Sequence, residues 1–207
     1  MAQLRNGIES GLSGRVGGVV YARSKGINIV RSVPVRSKNS WTPRQLLHRL
    51  RFKAVNDYCA KYKYTLIRQI WNLADEYGHG YNLFLKANMP AFGLDGQLAD
   101  VEKLHFSAGK LPLPLHFKAH RSALDPSKVE VSWLNDENLS RVYYHDELMM
   151  VAWYPDHTTA PIITGVKRIQ GETVIDLPAG FESITGIYLF FASHDRDGYS
   201  PDQYFGI

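Results

Sequence analysis

The second half of this chain is cut into seven short runs rich in β-branched and aromatic residues: Leu115–Ala119, Lys128–Trp133, Leu148–Tyr154, Ile162–Lys167, Thr173–Leu177, Gly186–Ser193 and Gln203–Ile207. Turn residues close each run. Residues of this kind suit a pleated, half-buried surface. Seven such runs with frequent turns predict an immunoglobulin- or fibronectin-III-like β-sandwich over residues 115–207. Trp133 stands where such folds often keep a core tryptophan. Ile187-Tyr188-Leu189-Phe190-Phe191 has no polar alternation, so it predicts a central strand covered on both faces.

Residues 41–90 follow a different period. Thr42-Pro43-Arg44-Gln45 offers an N-cap hydroxyl, a proline at the first helical position and a reciprocal glutamine two residues later, which predicts a helix start. Phe52, Val55, Cys59 and Tyr62 then recur at helical spacing and define its apolar face. A second helix is expected from Thr65 to Tyr77 through Leu66, Ile70 and Leu73, with Trp71 beside them. Gly78-His79-Gly80 breaks it, and Tyr81–Asn88 predicts a third, stopped near Pro90. Residues 91–114 form a turn-rich connector. The expected class is therefore α+β. Cys59 is the single cysteine, so an intrachain disulfide and a thiolate cluster are excluded. Inside a helix it reads as a small buried hydrophobe.

Residues 1–40 form a basic, glycine-rich arm. Val19–Arg23 and Ile27–Arg31 flank a turn at Ser24-Lys25-Gly26, where Gly26 can supply a positive φ, and this predicts a β-hairpin. Pro34 ends its second strand. Two strands alone are marginal in water, so the arm is expected to borrow stability from its own body or a neighbouring subunit. Met1–Ile70 holds fourteen Lys and Arg against two acids, whereas Trp71–Ile207 holds ten against eighteen. Opposite net charges on two parts of one chain select different partners. The candidate interaction residues are Arg15, Arg23, Lys25, Arg31, Arg36, Lys38, Arg44, Arg49 and Arg51. Arginine suits bidentate pairing with carboxylate or phosphate equally well. The favoured partner is protein, in a homo-oligomer or a larger assembly, and nucleic acid is the alternative. Tyr21 and Trp41 are the only aromatics before residue 50, which weighs against single-stranded nucleic acid.

Catalytic chemistry finds little footing. His116 and His120 are four apart, but the run around them reads as a strand rather than a zinc-binding helix. His145-Asp146-Glu147 and His194-Asp195 set adjacent side chains on opposite strand faces, which makes poor acid–base pairs. Asp195–Ser200 has the look of half a calcium loop, but the closing glutamate and flanking helices are missing, so a turn is expected. Gly11–Gly18 has no Gly-Lys-Ser/Thr to cradle a phosphate. The chain is expected to be non-enzymatic, with no cofactor and no metal. Its first twenty residues have no apolar core of a signal peptide, and no run is long enough to span a bilayer, so synthesis in the cytoplasm and no membrane partner are expected.

Four groups of residues carry a resemblance. They are Gly14-Arg15-Val16-Gly17-Gly18-Val19-Val20 with Lys25-Gly26 and Val30-Arg31-Ser32-Val33-Pro34; Thr42-Pro43-Arg44-Gln45 with Arg49-Leu50-Arg51-Phe52; Ser107-Ala108-Gly109-Lys110-Leu111-Pro112-Leu113-Pro114; and Ser200-Pro201-Asp202-Gln203-Tyr204-Phe205-Gly206. Together they resemble a large family of uncharacterised proteins, chiefly from Bacteroides-type bacteria, defined only as a domain of unknown function. Asp202 stands where that family usually has serine. The opening pattern, with Trp71, Gly80-Tyr81-Asn82-Leu83-Phe84 and Asn88, is also similar to small phage and prophage proteins. The resemblance implies a non-enzymatic protein, in a virion for its phage version, and brings no catalytic residues.

Overall fold

A computed structural model describes residues 2–4, 12–24, 26–35, 41–74 and 79–207. The fold is mixed α+β and divides into two compact units, Met1–Pro43 and Arg44–Ile207. No helix among the described residues is long and apolar enough to cross a membrane.

The first unit is a four-stranded antiparallel sheet in the order β1-β4-β3-β2: β1 Ala2–Leu4, β2 Gly14–Val16, β3 Val19–Ser24 and β4 Ile27–Ser32. The expected hairpin is β3–β4, in register from Ser24↔Ile27 to Val19↔Ser32. Gly26 in its turn has φ 79°. A second hairpin joins β2 to β3 through Gly17-Gly18, with Val16 opposite Val19. Gly17 at φ 57° takes the first central position of that two-residue turn, a conformation glycine adopts without steric cost.

In the second unit the seven expected runs are all strands: β5 Leu115–Arg121, β6 Lys128–Leu134, β7 Glu147–Trp153, β8 Ile162–Lys167, β9 Glu172–Asp176, β10 Gly186–Ala192 and β11 Gln203–Gly206. They form two sheets, β5-β6-β9 and β11-β10-β7-β8. Alternate residues of both sheets meet in one core, with Phe117, Val131, Trp133 and Ile175 facing Leu148, Met150, Leu189 and Phe191. The Trp133 indole donates to the Arg168 carbonyl at 2.8 Å.

Helices cover the other face of the four-stranded sheet. Helix α1 spans Pro43–Ala60 and begins at the expected proline. Only its carboxy-terminal half reaches the core, so Val55 and Cys59 are buried while Phe52 is 46% exposed. Burial pushes the Cys59 thiol up to about 12, which leaves it an inert hydrophobe. The expected second helix is a single π-helical turn, Ile67–Trp71. Its extra residue per turn turns Leu66, Ile67, Ile70 and Trp71 inward together and leaves Leu73 exposed; residues 75–77 of that expectation lie outside the described residues. Helix α2, Gly80–Asn88, ends in a 3₁₀ turn at Met89–Ala91.

These helices share a core with Met149, Val151, Tyr188 and Phe190, so β7 and β10 are apolar on both faces. Polar contacts fix the junction. Buried Asn88 donates to the carbonyls of Phe84 and His105 and accepts from the His105 N–H. Tyr188 donates its hydroxyl to Val101 O at 2.5 Å. The connector and the carboxy terminus also lock together. Ser107 Oγ donates to Ser200 O at 2.7 Å, and Asp202 accepts from the Phe106 N–H at 2.7 Å and contacts His105 Nδ1 at 3.0 Å. That carboxylate raises the His105 pKa. Gly109 lies so close to Tyr199 that a methyl group there would run into the Tyr199 carbonyl. Two of the motifs quoted from the sequence, 107–114 and 200–206, are thus the two sides of one seam.

Candidate assembly interface

Lys25, Arg36 and Lys38 lie outside the described residues. The other six candidates divide between the units. Arg15, Arg23 and Arg31 are exposed on the amino-terminal sheet; Arg44 and Arg49 are exposed on α1; Arg51 is half-buried.

Strand register fixes the first three. Arg15 is opposite Val20, and Val20 is opposite Arg31, so these three form one row across β2, β3 and β4. Directly paired residues project to the same face, which therefore carries both arginines with Val20, Ala22, Ile27 and Ile29. Arg23 lies on the opposite face with Val16, Val19, Tyr21 and Val30. One face thus mixes valine and isoleucine with arginine, and the other mixes valine and tyrosine with arginine. None of the described side chains of this unit is buried; Val16 is 56% exposed and Ile27 45%. Arg15 Nε donates to Gly17 O at 3.2 Å, a contact that bridges its own turn.

On α1, Arg44, His48, Arg49, Arg51 and Lys53 precede the first acid, Asp57. The first turn holds no carboxylate. Of these basic residues only Arg44 stands in the first turn, where a cation meets the helix's positive end and is mildly unfavourable. Leu46, Leu47 and Leu50 are about half exposed along the same turns. Arg51 has an internal task, because its Nη2 donates to Met89 O at 2.7 Å and ties α1 to the end of α2.

The histidines read from the sequence are scattered. His116 has φ 50° at an irregularity in β5, His120 Nε2 faces Glu130 at 3.3 Å, His145 is exposed at the end of a 3₁₀ helix, Arg141–His145, rather than in a strand, and His194 is exposed in a turn. Among the described residues no three His, Cys, Asp or Glu gather as a metal site. Asp195–Ser200 is a turn in which Ser193 Oγ accepts from the N–H groups of Asp197 and Gly198. A cavity of about 290 Å³ lies beside Tyr58, Tyr62, Trp153 and His157. Tyr62 Oη and Thr158 Oγ1 in its wall already bond each other at 2.9 Å.

Two strands of the arm escape the sequence reading. β2 is hidden because glycines flank it, and β1 has only three residues. The signal that could reveal β2 is Gly17-Gly18 between Val16 and Val19, a hairpin turn between β-branched residues. Compared with protein-family models and with curated proteins, the chain matches none.

Proposed function

We propose that this protein is a non-enzymatic assembly subunit whose basic amino-terminal sheet docks on neighbouring copies. A phage capsid or tail is the setting favoured by the sequence resemblance. The observation that carries the reading is the contrast between units. Arg44–Ile207 has two continuous apolar cores, whereas the sheet of Met1–Pro43 has no buried described side chain although valine stands on both its faces and isoleucine on one. Such a sheet gains most of its stability by burial against a partner.

In the same reading the second unit is a fibronectin-like sandwich serving as spacer or docking surface. Its fourth strand, β8, joins the third, β7, and its fifth, β9, joins the second, β6. That partition differs from the constant-type immunoglobulin arrangement, where the fourth strand joins the fifth.

The run of basic residues on α1 favours one other reading, contact with nucleic-acid phosphates. Sedimentation velocity of the intact chain over a concentration series, with absorbance at 260 and 280 nm, separates the two. The expected result is a species heavier than the 23.5 kDa chain, growing with concentration and free of nucleic acid. A monomer that carries nucleic acid and loses it in high salt supports the phosphate reading. A monomer at every concentration without nucleic acid overturns the assembly proposal.

A further inference from the structure

Among the described residues, strand β9 pairs only with β6. Trp133 N–H donates to Gly171 O, and Leu177 N–H donates to Ser127 O, both at 2.8 Å. Between these fixed ends the antiparallel alternation turns the backbone groups of Thr173 and Ile175 toward β6. It turns the N–H and C=O of Glu172, Val174 and Asp176 away from β6, along an edge left unpaired among the described residues. The side chains of these same three residues are exposed on the outer face, and Val174 is 57% exposed. Glu130, opposite Val174 on β6, shares that face. A surface groove of about 550 Å³ runs beside them, lined by His120, Glu130, Ser132, Glu172 and Val174.

Among the described residues, the amino-terminal sheet ends at β2 in a matching edge. Val16↔Val19 closes the β2–β3 hairpin over two residues, so Gly14 and Val16 turn their backbone groups to β3 and Arg15 turns its own outward.

Resting on the assembly reading above, we propose that the β2 edge of one copy adds antiparallel to the β9 edge of the next, with Arg15 opposite Val174. In that register Glu172 and Asp176 are the diagonal neighbours of Arg15, and Glu130 lies one strand further on the same face. Backbone hydrogen bonds supply the affinity and the arginine among carboxylates fixes the register. Lys128, 3.9 Å from Asp176, and His120, 3.3 Å from Glu130, leave Glu172 as the principal acid. Joining unlike edges makes the contact heterologous, so repetition gives a ring, a filament or, by reciprocal exchange, a closed dimer.

The test uses the full-length chain with light scattering. Arg15→Glu and Glu172→Arg should each weaken association by about tenfold or more, and the two together should restore most of it. Val174→Pro should abolish association while the thermal midpoint holds, because the Val174 N–H takes no part in the β6–β9 ladder. Should that variant fold poorly, the charge-swap pair decides alone. An assembly lost on deleting Met1–Ser40, yet indifferent to Val174→Pro and to Glu172→Arg, overturns this inference and leaves the arm docking elsewhere. An assembly that survives the deletion, or an intact chain that never associates, overturns the assembly reading together with it.

Discussion

Replacing Arg168 by methionine is expected to destabilise Arg44–Ile207 by about 3–5 kcal/mol, because it strands a buried carboxylate. Arg168 follows β8 and its side chain is 1% exposed. Its guanidinium lies 4.1 Å from the centre of the Phe191 ring, its Nη2 donates to Pro112 O at 2.7 Å, and its Nε is 3.4 Å from Asp146 Oδ2. Methionine keeps much of the volume and removes every polar contact, so Asp146 remains buried without its counter-charge. The double replacement Arg168→Met with Asp146→Leu should regain most of the loss, since an apolar pair of similar bulk often replaces a buried ion pair at little cost.

The pH dependence has a definite sign. Burial raises the Asp146 pKa to about 6, with Arg168 partly offsetting it. The folded value therefore lies above the unfolded one near 3.8. The folded state binds the proton more tightly, so this group's stabilisation is full below about pH 4 and is lost as pH rises through about 6. Without Arg168 the offset disappears and the dependence steepens. The Arg168→Met protein should therefore regain more stability than the wild type between pH 7.5 and pH 5, and the double variant should show neither effect. Urea unfolding followed by tryptophan fluorescence at the two pH values measures all three. A cost below about 1 kcal/mol would mean that the pair does not act as a buried unit.

Phe106→Ala is expected to cost a further comparable amount, about 3–5 kcal/mol, the range for emptying a fully buried aromatic site. Phe106 is completely buried in the connector, where its ring meets Tyr188 of β10 at 4.6 Å and Tyr62, beyond α1, at 5.8 Å. Its carbonyl accepts from the Trp71 indole at 3.0 Å. It therefore joins the helices to the sheet they cover. Because the described helical residues share one core with that sheet, circular dichroism at 222 nm and tryptophan fluorescence should report one coincident transition in both wild type and variant. Two separated transitions in the variant would show the helices to be an independent layer.

What the chain discloses before its structure follows from the range over which each signal acts. The seven strands were legible because their alternation and turns are local. The start of α1 at Pro43 and the β3–β4 hairpin at Gly26 were legible for the same reason. The uninterrupted apolar run at Ile187–Phe191 announced two covered faces, but nothing local announced that helices would be the second cover. That depends on Phe106, Asn88 and Tyr188 meeting across long stretches of sequence. Leu73 and Phe52 followed helical spacing and still came out exposed, one because a π turn rotated it outward, the other because α1 extends past its core.

Among the candidate interaction residues, charge alone could not separate Arg51, held by Met89 O, from Arg15, Arg23 and Arg31, which are exposed. Arg168 was invisible as a core residue for the same reason, since Lys167-Arg168-Ile169 reads like any exposed strand end. The alternation Glu172-Thr173-Val174-Ile175-Asp176 is visible in the sequence, but only the ladder with β6 shows that its acids share an edge left unpaired among the described residues.

The proposed role of the amino-terminal sheet is to hold copies of this protein together. Its most direct measurement is the mass in solution, by size exclusion with light scattering, of the intact chain beside one lacking Met1–Ser40. An oligomer is expected for the intact chain and a folded monomer for the shortened one, since the two apolar cores lie wholly within Arg44–Ile207. An oligomer of unchanged size after the deletion would contradict it.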